Sequence, residues 1–316
     1  MYSKLVARVK FRGNYSDYFH LTTGLMQGES ISHTLYSLYV RDIEGALESG
    51  NCEYLTINDV NLYLLMYADD TVLLSESPEN LQNMLNTLSN YCYENNLNVN
   101  VNNSKIVIFK NGGKIRENET WTYEGKDLEI VKSFNYLGVV FNHNGKFSLT
   151  QKTIAQQASK ACFGLQRIIH ENYFNLETSI ALVSTCIVPI LNYCSEVWGF
   201  HSADDVERVQ ITFFKKILGV RTSTCNALIY HELGLCPLQI YRKICMIKYW
   251  LKLLKGKNML LVSCYSDMYD CLLNGKSYNP WLDNVKCILE ENGFGNVWIS
   301  QGVSRTSIYK RINTTS

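Results

Sequence analysis

At 316 residues, with 46% hydrophobic, 12% aromatic and 19% charged side chains, the chain is long and apolar enough for one large or two modest domains. That composition excludes disorder, collagen and coiled coil as the main architecture. Thirty lysines and arginines against 29 aspartates and glutamates leave a formal charge of +1, not the strongly basic balance typical of a nucleic-acid binder. The average hides a division, because residues 1–141 carry 11 basic and 17 acidic side chains whereas residues 142–260 carry 14 and 7. A metal-binding part joined to a polyanion-holding part would look like this, and so would ordinary solvated helix faces.

The cysteines number 11, an odd count, and no CxxC pair occurs among them, which argues against a disulfide framework and a structural zinc site. Several lie in apolar settings such as Ala161-Cys162-Phe163, where a thiol acts as a small buried hydrophobe. These features predict a soluble protein of a reducing intracellular compartment, nuclear or cytoplasmic. The first residues lack the apolar core of a signal peptide. The longest apolar stretch, residues 181–191, is too short to span a bilayer.

In chain order, Val6 to Phe11 reads as a strand, followed by a polar turn at Gly13-Asn14, a second extended piece, and the sequence Gly24-Leu25-Met26-Gln27-Gly28. Ile31, Leu35, Leu38, Tyr39, Ile43 and Leu47 then recur at helical spacing, which predicts one helix closed by Gly50. Asn61 to Leu74 places two apolar runs around Ala68-Asp69-Asp70 and predicts a β-hairpin. Ser77-Pro78-Glu79 opens a helix whose apolar face is Leu81, Met84, Leu85 and Leu88. Strand character returns at Val99 to Phe109 and at Leu128 to Phe141, and helices dominate afterwards. The order predicts an α+β part of about 140 residues followed by a helical part, with the boundary near Asn142 to Gly145.

Tyr67-Ala68-Asp69-Asp70 is the sharpest chemical feature. Two carboxylates at the turn of an apolar, buried ribbon repel one another unless a cation neutralises them. Their hard oxygens suit Mg²⁺, with Mn²⁺ as a substitute, and such an ion serves phosphoryl transfer. Asp-Asp is also an ordinary turn dipeptide, so the motif alone leaves both readings open.

The run GLMQGESISHTLYSLYVRDIE at 24–44, then LLMYADDTVLLSESPENL at 64–81, VNVNNSKIVIF at 99–109 and FNYLGVVF at 134–141, resembles the ordered motifs of reverse transcriptases, most closely those of non-LTR (LINE-type) retrotransposons. The resemblance implies an α+β partial right-hand polymerase palm, an antiparallel sheet with helices, over residues 1–141. A helical thumb-like region would follow over 142–260 and a C-terminal helical extension over 261–316. It implies RNA-directed DNA polymerase activity that adds deoxynucleoside triphosphates to a DNA primer on an RNA template. Asp69 and Asp70 then become Mg²⁺ ligands, Tyr67 and Ala68 the residues beneath primer and nucleotide, and Gln27 and Gly28 the turn that shapes the nucleotide site. Lys105 would protonate or hold the departing pyrophosphate, against the plainer reading of an edge-strand lysine. Leu137 and Gly138 would fix the primer 3′ end, although the glycine also suits a β-bulge.

Two departures stand out. His33 occupies the place of a proline common in the family. The third metal carboxylate, expected on an earlier strand, has no counterpart: before Gln27 the only acidic residue is Asp17, in a polar turn. The expectation is therefore a chain that begins inside the palm, impaired alone, whose missing N-terminal polymerase or endonuclease part must come in cis or from another chain. The alternative is a non-catalytic nucleic-acid-binding remnant, and a weaker third is a metal-binding scaffold. The basic 142–260 helices would grip the primer–template backbone through phosphates, with Trp198, Phe213 and Phe214 read as core rather than as base-stacking groups.

Overall fold

The computed structural model describes residues 6–21, 24–26, 28–109, 119–275 and 279–301. They form a mixed α and β structure divided into two compact units, one of residues 1–56, 61–100 and 119–127, the other of residues 57–60, 101–118 and 128–316. Among the described residues the strands pair only two by two, antiparallel except for Lys105–Ile106 alongside Glu129–Ile130, which run parallel.

In the first unit a core of Ile43, Leu47, Tyr63, Leu64, Met84, Tyr91 and Cys92 is built around the helix Pro78–Glu94. Ser77 starts that helix by accepting the Asn80 N–H at 3.1 Å, and Pro78 at its first turn has no N–H to leave unpaired. The apolar spacing expected to give one helix over Ile31 to Leu47 instead gives two, Ser32–Tyr39 and Ile43–Ser49. The break at Val40–Asp42 frees the Asp42 carboxylate to accept the Tyr91 O–H at 2.7 Å. That bond is the main reason the Asp42 carboxyl lies below its ordinary pKa, while burial first and Asp42 second push the Tyr91 phenol up. Consequently Leu38 and Tyr39 are exposed, and only the second helix buries residues.

The strands expected across Val99 to Phe109 shrink to Lys105–Ile106. The stretch from Leu128 to Phe141 divides into Glu129–Ile130 and a hairpin, Ser133–Tyr136 with Val139–Asn142. In the second unit the helices Ser148–Glu171 and Asp204–Ile217 pack around Ala158, Leu191, Trp198, Val206 and Phe214. A second core joins Leu238–Leu254, Met259–Leu273 and Pro280–Glu291 through Met246, Trp250, Leu282 and Trp298. Trp198, Phe213 and Phe214 are buried, so these rings are core, as their helical spacing predicts. Among the described residues no helix is long and apolar enough to cross a membrane.

Candidate active site

The strands Leu64–Tyr67 and Asp70–Leu73 form the predicted hairpin, with Leu64 opposite Leu73, Met66 opposite Thr71 and Tyr67 opposite Asp70. Side chains alternate across a strand, so Leu64, Met66 and Leu73 share the face packed on the core. Leu65, Tyr67, Asp70 and Val72 take the other face. The ribbon is therefore buried only along one face of its base: Tyr67, Ala68, Asp69 and Asp70 are all exposed at its tip. The expectation that both strands were buried is corrected by this alternation, which gives one face to the core and the other to solvent.

Two residues connect the strands, and the first of them, Ala68, sits at φ 52. Primed hairpin turns require such a left-handed angle, and glycine or asparagine usually supplies it. For an alanine the conformation costs about 1–2 kcal/mol, an outlay the register of the ladder imposes. The strain presents Asp69 in the turn and Asp70 at the head of the returning strand. Among the described residues neither carboxylate forms an ion pair, and no group of three His, Cys, Asp or Glu side chains converges on a metal position. Two exposed, unneutralised carboxylates fit Mg²⁺, which takes one or two protein carboxylates and fills its remaining positions with water and substrate phosphate.

Sequence reasoning missed Tyr36. It lies half-buried on helix Ser32–Tyr39, and burial first, then the Asp69 carboxylate, raise its phenol above the ordinary pKa. The helix that follows the Gly24–Gly28 segment is thus within electrostatic reach of the acidic turn. Ser32, from the same helix, donates its hydroxyl to the Met26 carbonyl at 2.7 Å and fastens that segment. Gly28 adopts φ 83, a conformation that glycine accommodates readily, and among the described residues beyond its chain neighbours no atom lies within 4 Å of where a Cβ would stand. Gln27 lies outside the described residues. His33 is inside the helix, one residue after its first, where a proline would have been equally tolerated.

The remaining predicted residues belong to the second unit. Lys105 places its ammonium 2.7 Å from the Glu129 carboxylate, its directly opposite partner in the parallel pair. Leu137 (φ 49) and Gly138 (φ 81) are the two central residues of the Ser133–Asn142 hairpin, both left-handed as a type I′ turn demands. This is a tight turn and not a bulge. Tyr193 donates its hydroxyl to the Leu137 carbonyl at 2.8 Å, and a Cβ on Gly138 would meet the same ring at 2.9 Å. The fully buried Thr150 ties the hairpin to helix Ser148–Glu171 by donating to the Val140 carbonyl and accepting the Val140 N–H. Along that helix a groove of about 690 Å³ opens against Asp204–Ile217, edged by Lys152, Lys160, Arg208 and Lys216, with Asp205 the one carboxylate among the described residues that line it.

Comparison with known proteins agrees with these motifs. Residues 1–141 match the family model described as reverse transcriptase (RNA-dependent DNA polymerase). A transposon-derived protein of Caenorhabditis elegans is 27% identical over 159 residues, 50% of this chain and 56% of the relative. An RNA-directed DNA polymerase from transposon BS of Drosophila melanogaster is 24% identical over 210 residues, 64% of this chain and 23% of the relative. The chain thus spans about half the length of the first relative and about a quarter of the second. The acidic hairpin lies within residues 1–141, the part of the chain that is similar to reverse transcriptases.

Proposed function

We propose that the chain is the polymerase part of a non-LTR transposon protein, in which residues 1–141 are palm, 142–260 a thumb-like region and 261–316 a helical extension. Its reaction is transfer of a deoxynucleotide to a primer 3′-OH on an RNA template, inside the cell, in nucleus or cytoplasm. One observation carries the reading: adjacent carboxylates, free of ion pairs among the described residues, are presented at a strained, solvent-facing turn within the family-matched segment.

When bound, Mg²⁺ would stabilise the attacking and leaving oxygens of an in-line displacement. Asp69 and Asp70 hold that charge, and Tyr67, beside Asp70 on the exposed face, supports the primer end and nucleotide together with Ala68. Gln27 and Gly28 border the nucleotide site, where a side chain at position 28 would narrow the approach. Leu137 and Gly138 position the primer terminus, a role suited to a turn whose carbonyl is fixed by Tyr193. Lys105 neutralises or protonates pyrophosphate after exchanging Glu129 for it. The basic groove along Ser148–Glu171 takes the duplex backbone through phosphates, sequence-independently.

A second reading, a non-catalytic nucleic-acid-binding remnant, is favoured by the lack of a third converging metal ligand among the described residues. A complete two-metal site then needs a carboxylate from further residues, in cis or from another chain. Primer extension on an RNA template with Mg²⁺ separates the two. Asp69→Asn is expected to lower extension by roughly 10²–10³-fold. Equal extension by the variant overturns the polymerase reading. Duplex binding that persists in both proteins without any extension establishes the second reading.

A further inference from the structure

Residues 8–20 form a ribbon on which every residue is solvent-exposed. Val6–Ala7 pairs with Phe19–His20, and Lys10–Phe11 pairs with Asn14–Tyr15, both antiparallel. Between the two ladders Ser16 donates its N–H to the Val9 carbonyl and its hydroxyl accepts the Val9 N–H, each at 2.9 Å. Arg12 at φ 47 and Gly13 at φ 87 close the hairpin in a type I′ turn, so its register is fixed locally although none of the described residues covers it.

An uncovered two-stranded ribbon is marginal in water, and a folded protein seldom leaves so many rings outside without a use. Phe11 is 68% exposed, Tyr15 51%, Tyr18 66% and Phe19 45%. The cations are interleaved with the rings: the Arg8 guanidinium lies 3.9 Å from the Tyr15 ring centroid and 5.2 Å from that of Tyr18, and the Lys10 ammonium 5.4 Å from Tyr15. Arg12 lies 5.3 Å from the Phe11 ring. From residue 6 to 21, three cations face the single carboxylate of Asp17, inside a 1–141 segment that is otherwise strongly acidic.

We propose that this ribbon is a binding platform for single-stranded nucleic acid. Phosphates meet Arg8, Lys10 and Arg12, and unpaired bases stack on Tyr15, Tyr18 and Phe11. Three features select this occupant. The cations complement a polyanion, which an apolar protein strand or a second copy of the ribbon would not satisfy. The rings offer flat faces that are useful only to bases not already stacked in a duplex. The cation–π contacts hold the charges near the rings before binding, which lowers the ordering cost of placing a phosphate and a base together. The platform does not depend on the carboxylates of the acidic hairpin or on any metal.

The test is fluorescence anisotropy of a short labelled single-stranded RNA, and separately of the same sequence as a duplex, with the full chain in EDTA over a salt series. Tyr15→Ala with Tyr18→Ala is expected to weaken single-strand binding by roughly fivefold to a hundredfold per ring, and Phe at both positions to keep it. Arg8→Ala, Lys10→Ala and Arg12→Ala together are expected to flatten the dependence of log affinity on log salt by about two, whereas Arg8→Lys with Lys10→Arg retains the slope. Duplex binding is expected to stay at the wild-type level in all of these variants. Asp69→Asn should leave single-strand binding unchanged, so failure of the platform and failure of the polymerase reading remain distinguishable. Unchanged single-strand affinity in the Tyr→Ala variant, an unchanged salt slope in the triple variant, or an equal loss of duplex binding overturns the proposal.

Discussion

Removing Glu207 should strongly destabilise the helical unit. It lies on helix Asp204–Ile217 and accepts from the Leu238 N–H at 3.1 Å, the Gln239 N–H at 2.6 Å and the Arg242 Nη2 at 2.8 Å, with the Tyr230 hydroxyl at 3.4 Å. It therefore caps the N-terminus of Leu238–Leu254 from another helix, because the cap residue Pro237 has no side-chain acceptor to offer. Arg242, 1% exposed, depends on it further: its Nε and Nη1 already lack partners among the described residues, and burial pulls the guanidinium pKa down against the opposing pull of Glu207. After Glu207→Ala the buried cation would keep the Trp198 ring, 5.8 Å away, and the more remote charge of Asp204, but no hydrogen-bonded carboxylate. Breaking one side of a buried pair costs about 3–5 kcal/mol. Because Glu207 itself is 23% exposed and water can enter in its place, the lower half of that range, about 3–4 kcal/mol, is expected for this variant. Adding Arg242→Met removes the stranded charge and should leave mainly the lost cap, a net deficit of about 1 kcal/mol. Urea unfolding followed by the helical circular dichroism signal measures both. A single-variant loss below about 1 kcal/mol, or a double variant no more stable than the single one, would refute the reasoning.

Two turns give sharper local tests. Ala68→Val places a β-branched residue at φ 52 and should cost about 1–3 kcal/mol, whereas Ala68→Gly should change stability little, since relief of strain is offset by glycine's greater entropy when unfolded. Thermal unfolding of the two variants side by side checks this, and equal behaviour would show that the turn is not strained. Gly138→Ala combines φ 81 with a 2.9 Å approach to the Tyr193 ring and should cost about 1–3 kcal/mol. Restoring room with Tyr193→Phe should not rescue it, because the blocking atom belongs to the ring and not to the hydroxyl.

What the sequence disclosed about this fold follows the range over which each signal acts. The acidic hairpin, the Ser77-Pro78 helix start and the buried Trp198, Phe213 and Phe214 were legible because alternation, capping and helical spacing are local and specific. The break between Ser32–Tyr39 and Ile43–Ser49 was not, since the apolar period runs straight through it; a bond between Asp42 and Tyr91, 49 positions apart, accompanies the interruption. The shortening of the strand around Lys105 has a similar origin, because its pairing is parallel and non-local, with Glu129 supplied from 24 residues away. Around the acidic hairpin residue types pointed to the candidate carboxylates, but Tyr36 has no motif of its own and became visible only through the charge it senses from Asp69. The basic ribbon at residues 6–21 was hidden for the opposite reason: averaged over an acidic segment its three cations vanish, and only exposure, register and the placement of Arg8 over Tyr15 separate a surface built to be met from an ordinary pair of strands.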